Sequence, residues 1–280
     1  IFCLTAMTNF FKKINVKGII MLNQLGETEK TILKIKKNNK TSILLEHAFA
    51  NYTKETSKFS ILSSHPILED KIAVWGEIQK KYLIDFHDIS PDRIFVTGSP
   101  KHDKFFHKIQ NSKNKKRKTV LIAPHPITEI TGQSNSKLYD KYEQTVKEVC
   151  SILDEMHDID IIVKLHPSQL QHNELLGKIF KRIDESIPIH LSTPTNELIG
   201  NVDTVLTLSP EGMDPSTIIL ESLILEKPTM NIILDNHFYD YEVSKSNAIV
   251  AIMGTTNIRE ELQELIFSEK KRQYLMENGR

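Results

Sequence analysis

Three segments in the second half of the sequence place a histidine or a serine directly after an apolar, strand-like run. His125 follows VLIAP, His166 follows DIIVKL, and Ser209 follows TVLTL. A histidine in this setting donates a ring N–H to a phosphate oxygen or, when protonated, stabilises a leaving diphosphate as a cation. A purely structural hydrogen-bonding role is the alternative for each residue. The pattern predicts a binding site for an anionic ligand at one edge of a sheet.

A second candidate phosphate site lies in DPSTIILES. Asp214 and Pro215 are suited to the N-cap and the first position of a helix, which would place Ser216 and Thr217 in the first turn. Free backbone N–H groups and two hydroxyls there would bind a phosphate, with help from the helix dipole. Glu221, one turn later, would accept hydrogen bonds from a sugar or ribose diol. The alternative is a capped helix without a ligand.

His47 is the candidate for proton transfer in the first half of the chain. It follows the strand-like run SILLE, so we expect it at the carboxyl end of a strand. A histidine there could act as general base on an acceptor hydroxyl, particularly if Glu46 or another carboxylate raised its basicity. The alternative is that His47 only packs in a loop.

Other classes of site find no support in the sequence. It contains no GxxxxGK[ST], GxGxxG, HExxH, CxxC or GxSxG motif. None of the 11 histidines forms a convincing metal cage of two histidines at i, i+4 with a nearby carboxylate. We therefore expect neither a tightly bound metal nor a cofactor.

These candidates require a scaffold of alternating strands and helices. Short apolar runs alternate with amphipathic segments along almost the whole chain, which is typical of βαβ units with a parallel sheet. The predicted strands are Ile19–Leu22, Ser42–Leu45, Ile72–Trp75, Ile94–Thr97, Val120–Ala123, Ile161–Leu165, Ile189–Ser192, Val205–Leu208, Met230–Leu234 and Ile249–Met253. The predicted helices include Glu27–Lys37, Glu77–Ile84, Leu138–Met156, Glu174–Glu185, Ser216–Leu225 and Arg259–Phe267.

A basic, polar segment, HKIQNSKNKKRK at residues 107–118, divides these strands into four and six. We interpret it as a linker between two domains, 1–112 and 113–280. A patch that binds nucleic acid or an anionic membrane is the alternative. The first domain has few strands for its class, and the chain begins at Ile1 without an initiator Met. We expect a fragment whose N-terminal domain is incomplete.

Composition indicates an ordinary globular protein. The 280 residues include 36 Lys and Arg against 36 Asp and Glu, a balance that argues against a nucleic-acid partner. Cys3 and Cys150 lie far apart, so a disulfide framework is not expected and a reducing cytoplasm is the default. No apolar run approaches the roughly 20 residues that a membrane span needs.

The order of EHAFANY, VWGEIQKKYLI, ISPDRIFVTGSPKHD, the basic linker, VLIAPHP, VKLHPS and SPEGMDPSTIILESLILEKPTMNI resembles GT-B glycosyltransferases of surface-polymer synthesis. The nearest pattern is that of CDP-glycerol glycerophosphotransferase-like and capsule polysaccharide transferases, with the UDP-N-acetylglucosamine 2-epimerases as structural relatives. The resemblance extends from about residue 41 to the end. It implies an α/β fold of two Rossmann-like parallel-sheet domains that face a cleft.

The resemblance also implies roles for individual residues. His47 matches the histidine of a QHG-like element, where a general base is expected. His166 matches a His-Pro element that contacts donor phosphates. Ser216, Thr217 and Glu221 match the element that holds the donor nucleotide, followed by EKP at 226–228 in place of GKP.

The implied function is transfer of a sugar or polyol phosphate from a nucleotide-activated donor to a glycan or lipid-linked acceptor. The expected location is the cytoplasm, with peripheral association at the inner face of the cell membrane as an open alternative. Two other functions remain open: a sugar-nucleotide 2-epimerase and a catalytically silent nucleotide-binding domain. An epimerase needs further acidic residues in the first domain, for which Glu69, Asp70 and Glu77 are the candidates.

Overall fold

A computed structural model gives the fold of the chain. It describes residues 2–14, 16–23, 26–36, 40–46, 54–57, 67–106, 117–125, 136–167, 170–209, 216–234 and 242–280. The chain divides into two compact units, Ile1–Asp103 and Lys104–Arg280. The predicted domain boundary at 112/113 lies outside the described residues and stays a prediction. No helix in the described part of the chain is long and apolar enough to cross a bilayer.

The first unit has a four-stranded parallel sheet in the order β1-β2-β3-β4. Its strands are β1 (Gly18–Met21), β2 (Thr41–Leu45), β3 (Lys71–Val74) and β4 (Ile94–Val96), and its helices are α1 (Phe2–Lys13), α2 (Glu27–Ile35), α3 (Lys54–Ser57) and α4 (Glu77–His87). Alternate strand residues such as Leu44, Ile72 and Ile94 are buried together with Tyr82 and Leu83 of α4. This apolar cluster holds the sheet to the helix.

The second unit has a six-stranded parallel sheet in the order β10-β9-β8-β5-β6-β7. Its strands are β5 (Lys118–Pro124), β6 (Ile159–Lys164), β7 (Ile189–His190), β8 (Thr204–Ser209), β9 (Thr229–Ile233) and β10 (Val250–Met253). Its helices are α5 (Asp103–Phe106), which begins at the boundary, α6 (Ser136–Glu155), α7 (Leu170–Ile183), α8 (Thr195–Gly200), α9 (Thr217–Ile224), α10 (Glu242–Lys245), α11 (Ile258–Phe267) and α12 (Glu269–Gly279).

Helices cover both faces of this sheet, so the side chains of its central strands are buried on both sides. On one face, Val120 and Ile122 of β5 pack with residues such as Tyr142 of α6 and Phe180 of α7. On the other face, Leu121 of β5 packs in a separate cluster with residues of α8 and α9. Every residue of β8 and β9 is buried, as expected for a parallel sheet covered on both sides.

The predicted architecture is confirmed. All ten predicted strands are present, divided four and six between two parallel sheets, and their ends lie within about two residues of the predicted ones. All six predicted helices are present as well. This prediction was possible because side chains repeat about every 2 residues in a strand and about every 3.6 residues in a helix, so the two kinds of element have different apolar patterns.

Candidate functional site

The strand order of the second unit creates a switch point between β5 and β8. From β5 the chain runs outward through β6 and β7, and it then returns to the other side of β5 for β8, β9 and β10. In such sheets, ligands bind outside the carboxyl ends of the strands at the point where the direction reverses. His125 follows β5 there, and its backbone N–H donates to the carbonyl of Leu208 in β8 at 2.8 Å. His125 is half-buried beside Ser209, the last residue of β8.

His166 lies at the same edge, one strand further along. It follows Leu165 at the end of β6, and its side chain is exposed. Its backbone carbonyl accepts a hydrogen bond from the side-chain amide Nδ2 of Asn173 in α7 at 2.5 Å. The carboxyl edge therefore carries His166 on β6, His125 on β5 and Ser209 on β8, three of the predicted donor-binding residues.

A buried lysine makes hydrogen bonds to the backbone next to His166. Lys164 ends β6 and is 8% exposed, and its Nζ donates to the carbonyls of Leu165 at 2.9 Å and Leu191 at 2.8 Å. Burial lowers the pKa of its ammonium group, and the negative charge of Glu221 partly opposes that effect. Lys164 thus ties the end of β6 to the segment that follows β7.

The start of α9 corrects one prediction. The helix begins at Thr217, and Ser216 rather than Asp214 is its N-cap residue, with extended backbone at φ −58° and ψ 135°. Serine is itself a favoured N-cap residue, so the helix begins about two residues later than predicted. Asp214 and Pro215 lie outside the described residues. Ser216 and Thr217 are both half-buried, and the Ser216 carbonyl accepts from the N–H of Ile219 at 2.9 Å.

Glu221 is a buried residue of α9, 6% exposed. The helix follows β8 and packs against β8 and β9, so it runs away from the carboxyl edge at which it begins. Glu221 therefore lies one turn below Ser216 and Thr217, as the sequence predicted. A ligand group that reached it would enter a largely dry environment, where hydrogen bonds to a carboxylate are strong.

A buried polar network joins β8 to β9. The hydroxyls of Thr207 and Ser209 lie 2.8 Å and 2.9 Å from Oδ1 of Asn231. Ser209 is only 1% exposed, and its hydroxyl is engaged in this network. The predicted role of Ser209 in donor binding stays a prediction.

The EKP element at 226–228 lies at the opposite edge, before β9. Lys227 donates to the carbonyls of Gly200 at 3.3 Å and Val202 at 2.8 Å. Glu226, which stands where the resembling families have glycine, has a φ of 53° in the left-handed region. Glycine adopts that conformation without the steric penalty that a Cβ brings. The left-handed backbone at Glu226 is therefore one that glycine would adopt more easily than glutamate does.

His47 lies outside the described residues, and Glu46 is the last described residue before it. The Glu46 carbonyl accepts a hydrogen bond from the indole Nε1 of Trp75 at 2.9 Å. Trp75 in turn packs edge-on against His102, with the ring centres 5.0 Å apart. These contacts fix the carboxyl end of β2 against the segments that follow β3 and β4. The role of His47 as general base stays a prediction.

Two of the three acidic residues considered for an epimerase lie at the wrong edge. Glu69 and Asp70 come directly before β3, at its amino end, whereas Glu77 begins α4 after the carboxyl end of β3. In the described part of the chain, no group of three or more His, Cys, Asp or Glu side chains is placed to hold a metal ion. The expected absence of a tightly bound metal stays a prediction.

Lys164, Asn173 and Asn231 were not predicted from the sequence. A usable signal existed for Lys164 and Asn231, since each is a polar residue inside a run predicted to be a buried parallel strand. No local signal existed for Asn173, because its contact with His166 depends on how the chain turns between β6 and α7.

No protein-family profile and no curated protein sequence matches the chain. Solved structures match it by fold. MnaA of S. aureus in complex with UDP has 15% identity and a TM-score of 0.66, and the match covers 98% of this chain and 72% of that one. A UDP-GlcNAc 2-epimerase from Methanocaldococcus jannaschii, in complex with UDP-GlcNAc and UDP, has 16% identity and a TM-score of 0.62 over 96% of this chain and 74% of that one.

A glycosyltransferase from Rickettsia africae ESF-5 has 15% identity and a TM-score of 0.53 over 99% of this chain and 74% of that one. The protein has a GT-B-like fold. Two parallel-sheet units of four and six strands are the basis of this assignment, and the fold agrees with the resemblance found in the sequence. Proteins that share a fold at 15 to 16% sequence identity can catalyse different reactions, so the activity has to be argued from the site.

Proposed function

We propose that the protein is a transferase that moves a sugar or polyol phosphate from a nucleotide-activated donor to an acceptor hydroxyl in surface polysaccharide or glycan synthesis. The donor would bind the second unit through His166, Ser216, Thr217 and Glu221, with His125 and Ser209 beside them. The acceptor would be a glycan or lipid-linked chain. The proposed place of action is the cytoplasm, with peripheral contact at the inner face of the cell membrane as a further element of the proposal.

The observation that carries the proposal is the convergence at the switch point of the six-stranded sheet. His125, His166 and the start of α9 come from separate segments, and all lie at the carboxyl edge formed by β5, β6 and β8. A helix N-terminus and nearby histidines suit a diphosphate, and a buried carboxylate such as Glu221 suits a diol. UDP in the structure of the neighbour MnaA supports a nucleotide as the ligand class.

The proposed chemistry is direct transfer. The acceptor oxygen forms a bond to the sugar carbon or the donor phosphorus while its proton passes to His47. The bond to the leaving nucleotide breaks at the same centre, and negative charge develops on the departing phosphate. His166 and the N-terminus of α9 would stabilise that charge. Electrostatic stabilisation of developing charge is often the largest single contribution to the rate acceleration of an enzyme. Neither a cofactor nor a tightly bound metal forms part of the proposal.

Donor binding provides the first test. Thermal shift with CDP-, UDP-, GDP- and CMP-linked donors should show one favoured nucleotide class. His166→Ala should weaken the favoured donor about tenfold, the effect of losing a hydrogen bond to a charged group. The control is His157→Asn at the amino end of β6, because asparagine tolerates the φ of 52° at that residue. Equal affinity of wild type and His166→Ala would contradict the proposed site.

A 2-epimerase is the second candidate, because the solved structures that share this fold include a UDP-GlcNAc 2-epimerase from M. jannaschii. Glu69 and Asp70 come before β3, at its amino end, whereas ligands of parallel sheets bind outside the carboxyl ends, so neither residue supports an epimerase. Incubation with nucleotide sugars alone separates the two activities. Epimerised product without acceptor would reject the transferase, whereas transfer that requires an acceptor would support it. Nucleotide binding with neither product would indicate a silent binding domain.

A further inference from the structure

Side-chain donors hold both peptide groups that flank His166. The carbonyl of Leu165, in the peptide before His166, accepts from Lys164 Nζ at 2.9 Å. The carbonyl of His166 itself, in the peptide after it, accepts from Asn173 Nδ2 at 2.5 Å. The Leu165 N–H donates to the His190 carbonyl at 2.9 Å, so the segment is also held by the backbone next to β7.

Asn173 has an incomplete set of hydrogen bonds. It is 7% exposed, and its Oδ1 is buried without a hydrogen-bond partner. Only the amide nitrogen can donate to the His166 carbonyl, so the orientation of the amide is fixed. A buried polar atom without a partner destabilises the folded state. Leucine, of similar size, would remove this unpartnered oxygen together with one hydrogen bond to the His166 carbonyl, and the two changes oppose each other, so stability alone does not account for asparagine here.

Stability alone does not account for Lys164 either. Its ammonium group is buried and donates hydrogen bonds to the carbonyls of Leu165 and Leu191. A buried charge is tolerated when its hydrogen-bond partners compensate for the lost hydration. A protein with an apolar residue of similar volume in its place is often equally stable. Both donors converge on the segment of one exposed histidine at the carboxyl edge.

We infer that Asn173 and Lys164 are positioning residues that fix the backbone on either side of His166, so that its imidazole is held in place for the donor phosphates. This inference rests on the proposed donor site. It assigns a function to a buried asparagine that carries an unsatisfied oxygen. A ligand group held in advance binds more tightly, because less freedom is lost on binding.

Asn173→Leu provides the decisive variant. We expect its melting temperature to stay close to that of wild type, because the two changes offset each other, while affinity for the favoured nucleotide donor falls about fivefold or more. In a His166→Ala background the same substitution should change affinity by less than about twofold, since its effect acts through His166. An equal loss of affinity in both backgrounds, or no loss in either, would overturn the inference.

Hydrogen exchange tests the inference without reference to activity. In Asn173→Leu, the amides of Leu165 and His166 should exchange faster, while those of β8 keep the wild-type rate. Lys164→Met should produce the same local change, because it leaves the carbonyls of Leu165 and Leu191 without this donor. Unchanged exchange at residues 165–166 in both variants would overturn the positioning role. If wild type binds no donor, the proposed function fails, and the exchange result still decides whether these side chains fix the segment.

Discussion

Asp70 offers a stability prediction with a defined sign, size and pH range. Its Oδ2 accepts hydrogen bonds from the backbone N–H of Ser42 at 2.7 Å and the Ser42 hydroxyl at 2.9 Å, and it pairs with the ammonium of Lys36. The Lys36 contact is the main cause that lowers the pKa of Asp70 from 3.8 to about 2. This network joins the amino ends of β2 and β3.

The free energy follows from that shift. A difference of about 1.8 units at about 1.36 kcal/mol per unit gives an upper limit of about 2.4 kcal/mol. The Asp70 side chain is 46% exposed, so solvent screening reduces this to about 1 kcal/mol. The folded-state pKa lies below the unfolded-state value, so the stabilisation is present above pH 3.8 and is lost as the pH falls through about 2.

The measurement is urea unfolding of wild type and Asp70→Asn, followed by tryptophan fluorescence. The sequence contains a single tryptophan, Trp75, which lies in the first unit with Asp70 and therefore reports on the unfolding of that unit. Asp70→Asn should lower the free energy of unfolding by about 1 kcal/mol at pH 7, with a smaller loss in 0.5 M salt. Asp85→Asn, an exposed carboxylate on α4, is the control. A difference that did not shrink toward pH 2 would refute the electrostatic explanation.

Three further predictions concern other described residues. Glu69 is fully buried, and desolvation raises the pKa of its carboxyl. The folded protein therefore loses stability as the pH rises from about 4.5 through the raised pKa. Glu69→Gln should remove that loss, as measured by urea unfolding between pH 4 and 8. Glu226→Gly should be about 1 kcal/mol more stable than Glu226→Ala in thermal unfolding, because both lose the same side chain and only glycine relieves the left-handed conformation. Burial raises the pKa of the Cys150 thiol to about 12, so iodoacetamide at pH 8 should label Cys150 only in urea, as mapped by mass spectrometry; rapid labelling of the folded protein would contradict its burial.

Most of the fold was predictable from local patterns. Runs such as TVLTLS and TMNII, now β8 and β9, consist mainly of apolar or β-branched residues because a parallel sheet buries both faces. Helix α6 was equally clear, since Tyr142, Val146, Val149 and Leu153 recur at helical spacing and all face the core. The start of α9 was misplaced by about two residues because both Asp214 and Ser216 are good N-cap residues and local sequence does not choose between them.

The site was predictable in part. The sequence identified His125, His166 and Ser209 as strand-end residues, because a strand followed by a polar turn is a local feature. It did not show that the Ser209 hydroxyl is engaged by Asn231, that Lys227 donates to the Val202 carbonyl, or that Asn173 holds the His166 carbonyl. Each of these contacts joins residues from different elements.

By itself the sequence determined the order of strands and helices along the chain, and with it the residues that follow each strand. Tertiary structure alone decided that β5 lies between β6 and β8, which creates the switch point and brings His125 and His166 to neighbouring strand ends. It also decided that Lys164 and Asn173 converge on one turn. The physical reason is that hydrophobic periodicity specifies which face of an element is buried, whereas the choice of neighbouring strand depends on packing between segments far apart in the chain.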